Sequence, residues 1–135
     1  MPEALVLDAS ALVDALLGTT IGTSVRARMR GCELHAPADL DAEVLSALGR
    51  LHRAGDLTDA HVSNALVELA VAPITRHHLA ELLTGAWAAR DRLRLVDALY
   101  VELSNALAAR LLTTDARLAR AHAAAELVTA PVPAE

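Results

Sequence analysis

The chain has 135 residues, 54% of them hydrophobic, and its 12 basic and 17 acidic side chains give a formal net charge of −5. This length suits a single domain with its own core, and no apolar run approaches the roughly 20 residues that a membrane helix needs. The negative net charge at first argues against a nucleic-acid partner, although overall charge can mislead when charges segregate. Cys32 is the only cysteine, and the amino terminus lacks the features of a signal peptide, so we expect a cytoplasmic protein.

The first predicted element is a buried strand, Leu5-Val6-Leu7, which runs directly into Asp8. A helix-compatible segment follows at 11–17 and ends near Gly18, so the pattern predicts a strand that leads into a helix. Asp8 then lies at the carboxyl end of the strand, the edge where α/β sheets bind ligands. The alternative is that Asp8 or Ser10 only caps the helix.

The next segments predict a helix over 24–30, a short strand over 34–36 and a longer helix over 39–54. The apolar residues of the longer helix recur at helical spacing, as Leu40, Val44, Ala47, Leu48 and Leu51. Glu43 lies at the border of this apolar stripe in the first turns, so it can face the sheet edge. It can equally be an exposed acid that the helix dipole favours.

The middle of the chain predicts a helix over 56–70 and a short strand over 71–74. Pro73 places this strand at an edge of the sheet, because proline cannot donate to an interior ladder. A further helix is predicted from His77 and His78, which we interpret as surface residues because adjacent helical side chains point about 100° apart. Trp87, on the same helix, is expected to pack, with contact to a partner or a base as the alternative.

The last third predicts a helix over 95–109, a strand over 110–114, a helix over 116–125 and a strand over 127–128. Asp97 lies in the first turn of the first of these helices, and Asp115 follows the strand Leu111-Leu112-Thr113-Thr114. Alternating strands and helices predict one α/β domain over 1–128, with a mainly parallel sheet flanked by helices. Residues 129–135 are expected to form an extended tail.

Four acids therefore follow strands or begin helices at one predicted edge: Asp8, Glu43, Asp97 and Asp115. At a separation of about 6 Å and an effective dielectric of about 20, each pair of carboxylates repels by roughly 3 kcal/mol. A cluster of this kind needs either protonation or a bound cation. Carboxylate oxygens without Cys or His suit Mg²⁺ or Mn²⁺.

These residues resemble the motifs of PIN domains, and the short length resembles VapC-type toxin ribonucleases. The motifs are Leu7-Asp8-Ala9-Ser10, Ala42-Glu43-Val44-Leu45, the segment 97–103 that begins with Asp97, and Thr113-Thr114-Asp115-Ala116-Arg117-Leu118. The resemblance implies that all four acids bind Mg²⁺ or Mn²⁺ and that a water attacks an RNA phosphodiester. It also implies supporting roles for Ser10 and Thr113, a VapB-type antitoxin partner and a homodimer.

Three alternatives compete with this interpretation. A haloacid-dehalogenase phosphatase needs a second Asp at the position of Ser10 and a Lys, whereas a receiver domain needs a Lys near its last strand. The sequence contains no Lys, which argues against both classes. The third alternative is a catalytically silent PIN-fold module that acts through protein contacts.

All basic residues are arginines, and six of them form two clusters: Arg26, Arg28 and Arg30, then Arg90, Arg92 and Arg94. Guanidinium groups suit bidentate phosphate contacts, so these six are candidates for RNA binding. The alternative is a solvated helix face with salt bridges. Hydrolysis at a carboxylate and metal site predicts RNA products with 5′-phosphate and 3′-hydroxyl ends.

Overall fold

A five-stranded, fully parallel sheet forms the centre of the structure, a computed structural model that describes residues 1–133. The strands are β1 Ala4–Leu7, β2 Glu33–Pro37, β3 Ile74–His77, β4 Arg110–Thr113 and β5 Ala125–Leu127. The helices are α1 Ala9–Leu17, α2 Thr20–Met29, α3 Leu40–Arg53, α4 Asp59–Val71, α5 Leu83–Ala88, α6 Leu95–Leu107 and α7 Ala116–Ala121, with a 3-10 turn at Leu79–Glu81. Within residues 1–133, no helix is long and apolar enough to cross a membrane.

The strand order β3-β2-β1-β4-β5 places β1 in the middle of the sheet. From β1 the chain proceeds outward through β2 and β3 on one side, and β4 and β5 fill the other side. The boundary between β1 and β4 is therefore the topological switch point, where the crossover connections diverge and leave a crevice. Leu7 is paired with Leu112. Asp8, which follows β1, therefore lies beside Thr113, the last residue of β4.

The central position of β1 in the core explains why its residues form a continuous apolar run. Leu5, Val6 and Leu7 point alternately to opposite faces, and all three are 0% exposed. Both faces of the sheet are therefore covered, as expected of a parallel sheet with crossover helices. On α3 the predicted stripe is confirmed, because Leu40, Val44 and Leu48 are buried against this core.

Several predicted boundaries were wrong by a few residues, and one of these errors assigned a histidine to the wrong element. Helix α4 continues through Val71, so β3 begins at Ile74, after Pro73, although it does lie at the sheet edge. His77 consequently ends β3 instead of starting a helix. Its ring Nε2 is 2.9 Å from Nδ1 of His35, so His77 is half-buried and not a free surface residue.

The carboxyl-terminal region also differs in detail from the prediction. Helix α6 ends at Leu107 because Ala108 adopts a left-handed conformation with φ of 49°. Helix α7 stops at Ala121, and β5 covers residues 125–127. Residues 129–133 form neither helix nor strand, and the final two residues of the predicted tail lie outside the described residues.

Candidate functional site

An open cavity of about 390 Å³ lies at the carboxyl edge of the sheet, at the switch point between β1 and β4. All four acids that the sequence singles out line it: Asp8, Glu43, Asp97 and Asp115. Asp8 follows β1, Asp115 follows β4, and the other two lie in the first turns of α3 and α6. The fold therefore brings together side chains from four separate parts of the chain.

Asp8 is the most enclosed of these acids, with 7% of its surface exposed. It precedes α1 but makes no side-chain capping bond to that helix, which removes the simple capping interpretation. Instead, its Oδ2 accepts hydrogen bonds from the hydroxyls of Ser10 at 2.6 Å and Thr113 at 2.7 Å. Burial raises the pKa of Asp8, and these two hydrogen bonds oppose the rise.

Glu43 occupies the opposite wall of the cavity, on α3. Its Oε1 accepts a hydrogen bond of 2.7 Å from the hydroxyl of Tyr100, which is itself fully buried on α6. Burial raises the pKa of Glu43 to about 7, against the Tyr100 bond, and the nearby charge of Asp39 adds to the rise. In the free protein, Glu43 therefore changes protonation near neutral pH.

Asp97 and Asp115 are balanced by arginine. Arg94 Nε lies 3.0 Å from Asp97 Oδ2, and Arg117 Nη2 lies 3.4 Å from that oxygen and 3.2 Å from Asp115 Oδ2. Asp115 also caps α7 by accepting from the backbone N–H groups of Arg117 and Leu118. Partial burial alone would raise the pKa of Asp115, but these bonds outweigh it and hold that pKa below its usual value.

The cavity thus accommodates four carboxylates in two different ways. Asp97 and Asp115 are neutralised by Arg94 and Arg117, whereas burial favours the protonated forms of Asp8 and Glu43. The sequence predicts either protonation or a bound cation at these acids, and the arginine contacts are an addition that the structure shows. These two effects reduce the repulsion among the four acids while all four remain in the cavity.

The family model described as PIN domain matches residues 5–124, most of the chain. The chain belongs to the PIN domain family. The predicted α/β class and the predicted family are both confirmed.

Individual relatives of this PIN domain include ribonucleases named VapC. Ribonuclease VapC3 of Mycobacterium tuberculosis is 58% identical over 128 residues, which are 94% of this chain and 93% of the relative. Among solved structures, PAE2754 from Pyrobaculum aerophilum has a TM-score of 0.70 at 24% identity, over 92% of this chain and 82% of that one. Mycobacterium tuberculosis VapC20, described as a sarcin-ricin loop cleaving toxin, has a TM-score of 0.62 at 18% identity, over 87% and 94%. The two solved structures show the shared fold.

The cavity of this PIN domain contains polar residues that the sequence argument missed, among them Asp14 and Arg50. Asp14 accepts from the hydroxyls of Thr19 at 2.8 Å and Thr114 at 3.2 Å, so it links α1 to the segment after β4. Both residues carried a usable signal. Asp14 is four positions after Ser10, and Arg50 is seven after Glu43, so each shares a helix face with a predicted site residue.

The two arginine clusters have different surroundings. Arg26 is paired with Glu68, and Arg28 is paired with both Glu3 and Glu126. Glu3 precedes β1, so Arg28 lies towards the amino edge of the sheet, away from the cavity. Its guanidinium is already neutralised, which weakens Arg28 as a candidate for RNA contact. Arg30 is exposed nearby, whereas Arg94 of the second cluster lines the cavity.

The side-chain oxygen atoms that line the cavity belong to carboxylates and a hydroxyl. Carboxylate oxygens and hydroxyls are the ligand types that Mg²⁺ and Mn²⁺ prefer. Oδ1 of Asp39 is buried beside Glu43, whose carboxyl can donate to it when protonated. Across residues 1–133, however, no three acidic, His or Cys side chains already form a metal-holding group. The residues fit the cation in chemistry, and Asp97 and Asp115 would exchange arginine for it.

Proposed function

We propose that this PIN domain is an endoribonuclease that depends on Mg²⁺ or Mn²⁺ and acts as the toxin of a type II toxin–antitoxin pair. The observation that carries the proposal is the convergence of Asp8, Glu43, Asp97 and Asp115 on one cavity at the switch point of the sheet. A site of this composition binds hard cations and, through them, phosphate oxygens.

The relatives support RNA as the substrate. VapC3, with which this chain shares 58% identity over nearly its full length, is named a ribonuclease. VapC20, which shares the fold, is described as a toxin that cleaves the sarcin-ricin loop. We extend the ribonuclease activity to this chain, and we place it in the cytoplasm, where such a substrate is found.

The residues of the cavity have different roles in the proposed hydrolysis. Asp8, Asp97 and Asp115 would hold the cation, and Ser10 and Thr113 orient Asp8 through their hydroxyls. A bound Mg²⁺ or Mn²⁺ supplies a lowered pKa for water and charge stabilisation on the phosphate. Glu43 either completes the ligand set or orients the attacking water. Arg94, which lines the cavity, and Arg117 would be free to contact the cleaved phosphate if a cation replaced them at Asp97 and Asp115.

The composition of the cavity also determines the expected products. Ribonucleases that use His or Lys as acid and base activate the 2′-hydroxyl of the substrate and leave a cyclic phosphate. Among residues 1–133, neither His nor Lys lines this cavity. Water is therefore the nucleophile and the 3′ oxygen is the leaving group, so the cut RNA carries 5′-phosphate and 3′-hydroxyl ends.

The toxin role requires partners, and we propose a VapB-type antitoxin and a homodimer. Helices α3 and α4 expose apolar side chains that suit burial against another chain, including Leu45, Val67 and Val71 at 55%, 68% and 77%. Expression of the chain should arrest growth, and co-expression of the neighbouring gene of its operon should relieve the arrest. A monomer without toxicity would contradict this part of the proposal.

The enzymatic proposal is tested by RNA cleavage with and without chelator. The native protein should cut RNA only with Mg²⁺ or Mn²⁺, and Asp8→Asn should lose at least about 100-fold in rate. Asp56→Asn, an exposed acid outside the cavity, is the matched control and should retain full activity. Activity in chelator, or cyclic phosphate ends, would overturn the mechanism. Folded, metal-loaded protein that cleaves no RNA would favour the silent interaction module.

A further inference from the structure

Trp87 is the only tryptophan of the chain, and 59% of its surface is exposed on the short helix α5. The expectation that it packs into the core was wrong. The guanidinium carbon of Arg90 lies 4.6 Å from the centroid of the indole ring. Arg90 Nη1 also donates to the carbonyl of Trp87 at 3.0 Å, so the two side chains form one fixed unit on the surface.

The segment that joins α5 to α6 holds this unit in place. Ala89 and Leu93 are 4% and 8% exposed, and the N–H of Leu93 donates to the carbonyl of Ala89 at 3.0 Å. Because these two side chains anchor the turn, the arginines between and beside them project into solvent. Helix α5 packs closely on α6, since a Cβ at Gly85 would collide with the carboxylate of Glu102.

The charges of this segment are available to a ligand. Among the described residues, neither Arg90 nor Arg92 is paired with a carboxylate, unlike Arg26 and Arg28 of the first cluster. Arg92 lies near the end of α7, where burial and then the positive charge of Arg92 lower the pKa of His122. Asp91 is exposed between the two arginines, so residues 90–94 carry three guanidinium groups against one carboxylate and are net positive in a chain with a net charge of −5.

The segment that carries these arginines leads into the candidate active site. Arg94 lines the cavity and bonds Asp97, and it stands two residues after Arg92 and four after Arg90. Arginine therefore recurs at every second position of the chain from Arg90, which lies over the indole, to Arg94, which lines the cavity. An aromatic face beside a row of guanidinium groups is the arrangement that binds single-stranded nucleic acid, with bases on the ring and phosphates on the arginines.

We propose that Trp87, Arg90 and Arg92 form a nucleotide subsite beside the cavity, in which the indole stacks on an unpaired base that flanks the cleaved phosphate. This inference rests on the proposed ribonuclease function and adds to it: the substrate is single-stranded at this position. Stacking on an aromatic ring tolerates every base, so the subsite positions the strand without specifying the sequence.

The single tryptophan makes binding directly measurable, and the measurement needs no cleavage. The native protein in chelator is titrated with a mixed-sequence single-stranded RNA decamer, with the same decamer made abasic, and with inorganic polyphosphate. The base-bearing RNA should quench the fluorescence of Trp87, and the other two probes should bind with little quenching. Equal quenching by all three probes, or none by RNA that binds, would overturn the stacking role.

Variants then connect the subsite to the reaction. Trp87→Ala should raise KM about 10-fold with kcat nearly unchanged, and Trp87→Phe should restore most of the loss. Leu83→Ala, another exposed apolar residue of α5, is the matched control and should leave KM unchanged. Arg92→Gln should weaken binding and reduce the slope of log Kd against log salt by about 0.7.

The possible failures are distinguishable. If RNA quenches Trp87 but is never cut with Mg²⁺ or Mn²⁺, the proposed function fails, and with it the assignment of the subsite to a reaction. A second outcome is that RNA is cut normally but Trp87→Ala changes neither KM nor the affinity for a fluorescently labelled RNA. In that case the subsite alone is wrong. If Trp87→Ala instead changes the molecular mass in solution, a second copy covers this surface and the subsite is overturned.

Discussion

The hydroxyl of Thr113 donates a 2.7 Å hydrogen bond to Oδ2 of Asp8, although the two residues stand 105 positions apart in the chain. This bond joins β1 to β4 at the switch point. The N–H of Asp115 donates in turn to Thr113 Oγ1 at 2.9 Å. The buried hydroxyl of Thr113 therefore orients Asp8, the central acid of the cavity. It also fixes the backbone at Asp115, a second acid of the cavity.

Thr113→Val tests this arrangement, because valine keeps the shape but removes the hydroxyl. We expect a loss of about 1–2 kcal/mol in the free energy of unfolding, since Asp8 loses a donor and the N–H of Asp115 loses an acceptor. The pKa of Asp8 should rise further. Urea unfolding measures the stability, and Thr113→Ser, which retains the hydroxyl, is the control. Equal stability of the valine and serine variants would show that the bond contributes nothing.

Divalent cations should stabilise the fold if the four acids form the metal site. At a hundredfold excess over the dissociation constant, Mg²⁺ or Mn²⁺ should add about 2.7 kcal/mol to the free energy of unfolding. Asp8→Asn should abolish this gain. It should also leave metal-free stability unchanged or higher, because a carboxylate that is 7% exposed no longer has to be buried. Asp56→Asn should respond to metal like the native protein.

Unfolding measured with and without metal decides this prediction. A native protein that gains no stability at millimolar concentrations of either ion would contradict the metal site. An Asp8→Asn variant that fails to fold would instead assign a structural role to Asp8.

The protonation of Glu43 predicts how stability depends on pH. Its pKa is about 7 in the folded protein against 4.5 when unfolded, so between these values the folded state binds the additional proton. Metal-free stability should therefore fall as pH rises through this window, by about 1–2 kcal/mol after allowance for solvent screening. The contribution is complete below pH 4.5 and is lost above the folded pKa.

Glu43→Gln isolates this contribution. His77 and His122 have lowered pKa values, mainly because of burial, and oppose the trend near their ordinary pKa of 6.5. The difference between native protein and Glu43→Gln cancels the histidines. Urea unfolding from pH 4.5 to 8 should show this difference changing steadily with pH. A difference that is constant across the range would show that Glu43 ionises normally.

Ala108 offers a stability test away from the cavity. It is the one residue other than glycine with positive φ among residues 1–133, at 49°, and a side chain there costs about 1–2 kcal/mol. Ala108→Gly should therefore raise the free energy of unfolding by about 0.5–1 kcal/mol after its entropic cost. Ala106→Gly, exposed within α6, should lower it by about 1 kcal/mol. Thermal unfolding of the two variants should give shifts of opposite sign.

The parts of the site that could be predicted are those that follow from topology. A buried apolar run that ends in Asp8, and another that leads to Asp115, place both acids at one edge in any parallel sheet. The balancing contacts could not be predicted in this way. Tyr100 reaches Glu43 across 57 positions, and its place in an apolar stripe gave no sign of a hydroxyl bond to an acid.

The errors in element boundaries have local causes. Val71 and Ala72 are compatible with both helix and strand, and the helix continues until Pro73 prevents it from extending further. That shift moved His77 from a helix to the end of β3. Trp87 was misplaced for a different reason: an aromatic residue near leucines at helical spacing indicates packing, and only the orientation of α5 shows which face is exposed.

The order of strands in the sheet has a consequence for how the protein is made. The cavity needs β1, which is translated first, and β4, which begins at Arg110. A nascent chain that stalls before this point carries Asp8, Glu43 and Asp97 but lacks the strand that closes the crevice and the hydroxyl that orients Asp8. In a fragment that ends before β4, Thr113 is missing and cannot orient Asp8, so the cavity is complete only when translation of the domain is nearly finished.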